Sequence, residues 1–132
     1  MGNVETVRAI YEAFGRGDAE GVLSQVSDDA LWDFNGGRPA DVPWHQPAMG
    51  KAGVGAFLGT LANGMDIQAF EPLAFAHSDN AVAVQVHIAY VFKRSGKRVD
   101  QLQVHWWELG ADGKVTRLQH FEDTRQVVEA SR

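Results

Sequence analysis

The chain has 132 residues, 45% apolar and 22% charged, with a formal net charge of −5 and no cysteine. That is one domain's worth of sequence, long enough to build a core without disulfide or metal staples. The acidic balance, with no run of basic residues, excludes a nucleic-acid surface, and the missing thiols exclude thiolate catalysis, zinc ribbons and iron–sulfur clusters.

Val4, Val7, Ile10, Tyr11 and Phe14 recur at helical spacing and predict a first helix. Glu5, Arg8, Glu12, Arg16 and Asp18 interrupt that stretch. Neither a signal peptide nor a membrane span is therefore expected, and a cytoplasmic location is. Gly15-Arg16-Gly17 stops the helix, and Asp18 is a good N-cap for a second, whose stripe is Ala19, Val22, Leu23 and Val26. Asp28-Asp29 ends it, and Ala30 to Phe34 reads as a short strand with Trp32 and Phe34 on one face and Asp33 on the other.

Residues 35–50 hold Pro39, Pro43 and Pro47 and little periodicity. Loops of this length inside a domain are often functional, and this one is a candidate lid carrying Trp44 and His45. Lys51 to Ala62 is a third helix, stopped at Asn63-Gly64. Gly50, Gly53 and Gly55 crowd its start without the lysine and hydroxyl register of a phosphate cradle. The remainder is strand-like: Met65 to Phe75 with a bend near Pro72, Ala81 to Phe92, Val99 to Leu109, and Lys114 to Val127. Helices grouped before a largely antiparallel sheet predict an α+β domain spanning residues 1–132.

Ser95-Gly96 reads as a two-residue hairpin turn. Tyr90 then faces Gln101, Ile88 faces Gln103, Val86 faces His105 and Val84 faces Trp107. Cross-strand partners share a face, so His105, Gln103, Tyr90 and Trp107 stand among Val84, Val86 and Ile88. Polar groups amid apolar walls fit a pocket for a small, mostly apolar ligand. The opposite face carries His87, Leu102, Val104 and Trp106; an apolar exposed sheet face points to a dimer interface.

Several motifs resemble those of one superfamily. They are Tyr11-Glu12-Ala13-Phe14 with Arg16-Gly17-Asp18, Asp28-Asp29-Ala30-Leu31-Trp32, Gly53 to Leu58, Val104-His105-x-Trp107, Asp112 to Arg117, and Phe121-x-Asp123-Thr124. The chain resembles the NTF2-like fold, in its SnoaL-like, ketosteroid-isomerase-related branch. The resemblance implies a cone: three N-terminal helices packed on a curved, mostly antiparallel sheet, with a central pocket and a homodimer through the convex sheet face. Ketosteroid isomerase works with a carboxylate base, a Tyr and a protonated Asp. Here those positions fall on Phe34, Ile10 (Tyr11 lies one residue off) and His105, so that reaction is not expected. The Asp–Arg–Asp set of limonene-epoxide-hydrolase-like relatives puts His120 at one acidic position, with no Arg beside it. Cyclases of this group use an Asp and a His, for which His105, His120 and Asp123 are candidates.

His105 and His120 are the expected acid–base pair, since an imidazole suits proton transfer near neutral pH. Tyr11, Trp32, Phe34, Trp44, His45, Ile88, Tyr90, Gln103, Trp107, Leu118 and Glu122 are the expected ligand contacts. His105, His120 and Glu122 form one possible metal set, but no HxH or HExxH spacing supports it, and neither metal nor cofactor is expected. Three functions remain open: a cofactor-independent isomerase, lyase or cyclase on a small, partly apolar molecule; a non-catalytic ligand-binding protein; and a protein-interaction module.

Overall fold

The computed structural model describes residues 2–34 and 42–132. In chain order its elements are α1 (Asn3–Gly15), α2 (Ala19–Leu23), β1 (Val26–Phe34), β2 (Ala48–Met49), α3 (Gly50–Gly64), β3 (Met65–His77), β4 (Ala81–Phe92), β5 (Arg98–Leu109), β6 (Val115–Phe121) and α4 (Thr124–Ser131). They form an α+β fold with a six-stranded mixed sheet in the order β2-β1-β6-β5-β4-β3. Only β1 and β6 run parallel among these pairings.

Alternation in β4 and β5 divides the sheet into two faces. Val82, Val84, Val86, Ile88, Tyr90 and Phe92 are buried on one, beside Val99, Gln101, Gln103, His105, Trp107 and Leu109. α1 packs onto that face through Val7, Ile10 and Tyr11, and α3 through Val54. The other face leaves Leu102, Val104 and Trp106 exposed.

Four local expectations are corrected. The Ser95-Gly96 turn is a four-residue loop: Phe92 N–H donates to Lys97 O (2.9 Å) and Gly96, at φ 73°, donates to Phe92 O (2.8 Å). His105 therefore pairs with Val84, Gln103 with Val86, Gln101 with Ile88, and Trp107 with Val82. The displacement is two residues, an even number, so every side chain keeps its expected face. The second helix stops at Leu23, although Asp18 does cap it by accepting from Gly21 N–H at 2.9 Å. Val26 instead opens β1, because Val115 N–H donates to Gln25 O at 2.8 Å and draws the chain into the sheet.

The last strand ends at Phe121 rather than Val127. Asp123 Oδ1 accepts from Gln126 N–H at 3.3 Å and starts α4, a fourth helix that buries Val127. A two-residue strand, β2, also pairs with β1 inside the segment read as loop. The irregularity near Pro72 is present, joined by a second between Ile67 and Ala69. Among the described residues no helix is long and apolar enough to cross a membrane.

Gly50 turns the chain from β2 into α3 at φ 67°, and a Cβ there would lie 2.9 Å from the Asp28 carbonyl oxygen. Gly17 has a similar φ of 72° but open space around it. Gly50→Ala is expected to cost roughly 1–3 kcal/mol and Gly17→Ala about 1 kcal/mol. Urea denaturation of the two variants measures the difference, and equal losses would remove the Asp28 contact as its cause.

Candidate functional site

Between α1, α3 and the inner sheet face lies a cavity of about 90 Å³. On the same measure a water needs roughly 10–15 Å³, so the space admits a small organic molecule. Its walls are mainly aromatic and aliphatic, from Tyr11 and Phe14 on α1, Phe57 and Leu61 on α3, and Trp32, Tyr90 and Trp107 on the sheet. Polar groups cluster on one side: Gln103, His105, His120 and Glu122.

Two of these belong to a hydrogen-bond chain whose direction the backbone fixes. Gln101 Oε1 accepts from Asp123 N–H (3.2 Å), and its Nε2 donates to Asp123 O (3.3 Å) and Gln126 Oε1 (2.7 Å). Gln103 Nε2 must then donate to Gln101 Oε1 (3.2 Å), which turns Gln103 Oε1 toward His105 Nε2 (3.1 Å). His105 therefore carries its proton on Nε2 and accepts at Nδ1 from the Tyr11 hydroxyl (2.7 Å). Trp107 Nε1–H, a donor only, closes the chain on the Tyr11 oxygen at 3.0 Å. Every link agrees in direction from both ends, and His105 is neutral within it. Burial, and then the neighbouring His120, pull its pKa down to about 3, against a smaller push from Glu122. Burial likewise raises the Tyr11 hydroxyl, with the Trp107 hydrogen bond working against it.

The second polar group is built differently. His120 Nε2 lies 2.9 Å from Glu122 Oε1, and His45 Nε2 lies 2.9 Å from Glu122 Oε2. The His45 contact is a close polar one outside hydrogen-bond alignment. Glu122 is only 2% exposed and His45 is fully buried. Burial pushes the carboxyl up, but the contacts and charges of the two imidazoles outweigh it and leave Glu122 at about 2. Glu122 is thus an ionised carboxylate held by two rings. No group among the described residues takes His120 Nδ1, and His120 lines the cavity.

Of the residues expected from sequence, the structure brings all but two to the cavity wall. Phe34 and His45 are the exceptions. They stack on each other, centroids 4.0 Å apart, behind Glu122. His45 is a partner of the carboxylate, not a wall residue. Trp44 does reach the cavity and stacks on Phe92 at 4.8 Å. The part of the candidate lid at 35–41 lies outside the described residues. The helix residues Phe14, Phe57, Leu61 and the strand residue Phe70 were not expected at the site, although Phe14 stands on the apolar stripe of the first helix. Among the described residues no group of three His, Asp or Glu is placed to hold a metal.

Residues 7–118 match the family model of the SnoaL-like domain. The chain belongs to the SnoaL-like domain family. No curated protein matches it by sequence. An NTF2-like protein from Burkholderia xenovorans LB400 superposes with a TM-score of 0.87 at 25% identity, covering 98% of this chain and 95% of that one. One from Burkholderia thailandensis E264 gives 0.87 at 19% identity, covering 100% and 98%. TerC, co-crystallised with polyporic acid, gives 0.82 at 28% identity, covering 98% and 97%.

The two buried groups of this SnoaL-like domain give its stability a defined acid limb. Unfolded His105 binds its proton near pH 6.5 and the folded ring only near pH 3. Stability therefore falls as pH drops below 6.5, by up to about 1.4 kcal/mol per pH unit, and this loss levels off near pH 3. The Glu122 contribution is fully present above pH 4.5 and is lost as pH falls through about 2. Between pH 6.5 and 4.5 only the first of these two operates. His105→Gln is expected to flatten the urea-derived stability curve over that interval and to keep the loss below it. An unchanged slope from pH 6.5 to 4.5 would show that the folded ring takes up its proton normally.

Proposed function

We propose that the cavity takes up a small, largely apolar molecule, one that offers an aromatic face to its walls, and that His120 moves a proton on or off it. The reaction class is isomerisation, elimination or cyclisation without a cofactor. One observation carries this reading: His120 has one nitrogen fixed on a buried carboxylate and the other without a partner among the described residues, on a ring that lines the cavity. A carboxylate that holds one imidazole nitrogen sets the tautomer and steadies the imidazolium formed when the other takes a proton.

His105, the other histidine expected to act, serves in this reading as a positioning residue. Both its nitrogens are spent on Tyr11 and Gln103. His45 serves the carboxylate from behind, so Glu122 and not His45 faces the ligand. The relative co-crystallised with polyporic acid, at 28% identity, supports an organic ligand in this fold without naming the one bound here.

The test begins with native mass spectrometry of the purified protein, which identifies any retained molecule. Turnover of that molecule is expected to fall roughly 10²–10⁴-fold in His120→Gln, the range a general acid or base contributes. His105→Gln is expected to change affinity more than rate. Retention without turnover by the unsubstituted protein would favour the binding-protein reading.

A homodimer through the outer sheet face completes the proposal. Leu102, Val104, Trp106 and Phe121 are between 37% and 56% exposed there, a patch of large apolar side chains. Sedimentation analysis is expected to give a dimer for the unsubstituted protein and a monomer for Val104→Asp, and a monomer for both would end the claim.

A further inference from the structure

Beside the main cavity lies a second chamber of about 10 Å³, the space of one water. The two share Trp32, Trp44, Phe57, Leu118 and His120 as a common wall. Among the described residues the rest of the chamber's wall is Asp33 and Gln46, and Gln46 is exposed.

Trp32 is 5% exposed, and its indole N–H is buried with no hydrogen-bond partner among the described residues. Buried donors in folded proteins are almost always satisfied, by protein or by an ordered water. Trp32 cannot be satisfied by turning, because its ring is held edge-on by Trp107 at 5.5 Å and by Phe57 at 6.1 Å. His120, on the same wall, has its Nε2 on Glu122 and an uncommitted Nδ1. A single oxygen that accepts from the indole and donates to the imidazole answers both groups.

We infer that the chamber is a binding site for one water, held by Trp32 Nε1–H as donor and by His120 Nδ1 as acceptor. The water lies between Gln46, which is exposed, and His120. It occupies the His120 nitrogen that the proposed chemistry uses, so a ligand that exchanges a proton with His120 displaces it. Trp32 is then a positioning residue that acts through the water. The role of the water rests on the reading of His120 given above; its presence does not.

A high-resolution crystal structure of the ligand-free protein tests the site directly. The expected result is one ordered water within about 3.2 Å of Trp32 Nε1 and of the His120 ring, absent from Trp32→Phe, which keeps an aromatic ring against Trp107 and Phe57. A chamber without ordered water overturns the inference, as does a water held by Asp33 and Gln46 alone or one that persists in Trp32→Phe. If the variant does not crystallise, the density of the unsubstituted protein decides. The result is independent of His120→Gln kinetics: a water found beside an indifferent His120 overturns the acid–base reading and leaves the site.

Discussion

Glu122 is a carboxylate almost out of water, and that constraint organises one end of the molecule. Burying an ionised group is costly unless it is paired, and removing one partner of a buried pair typically costs about 3–5 kcal/mol. The partners come from two places far apart in sequence: His120 from the end of β6, and His45 from the segment of residues 42–47. Pairing the carboxylate therefore docks residues 42–47 onto the sheet. Val42, Trp44 and His45 are all buried as a result. The stacking of Trp44 on Phe92 and of His45 on Phe34 fixes the same segment from both sides. One wall of the cavity thus exists because a charge needed neighbours.

The hydrogen-bond chain from Trp107 to Asp123 solves a different problem. Gln101, Gln103 and His105 stand on a face that is otherwise apolar, and each buried polar atom needs a partner. Because β-strand residues two apart share a face, the three can bond along the strand to one another. The chain is then anchored at a backbone that cannot change polarity. Its effect on chemistry is to divide the labour between two histidines whose rings are 6.0 Å apart. One is spent inside the network, and the other keeps a nitrogen without a partner among the described residues. Burial alone does not separate them; the number of partners does.

Much of this was legible in the residues. Parity placed Val84, Val86, His105 and Trp107 on one face, and a register error of two residues left that intact. The error itself has a local cause. Ser95-Gly96 satisfies a two-residue turn on composition, but Gly96 at positive φ closes a four-residue loop instead. The last strand was read as far as Val127, whereas Asp123 as an N-cap starts a helix there instead. The His45–Glu122 contact had no local signal at all. It joins a proline-rich segment to the end of a strand, and no periodicity relates the two.

Trp32 shows what the fold accepts in order to keep this arrangement. Its ring packs between Trp107 and Phe57, contacts that contribute roughly 0.5–1.5 kcal/mol each beyond area burial. A phenylalanine would make similar contacts without an indole N–H to satisfy. An unsatisfied buried donor costs about 1–3 kcal/mol, so the nitrogen would cancel most of what the packing supplies. Packing therefore does not explain why this position is tryptophan. The indole donor is what distinguishes the tryptophan, and its ring shares with His120 a wall of both the cavity and the smaller chamber beside it.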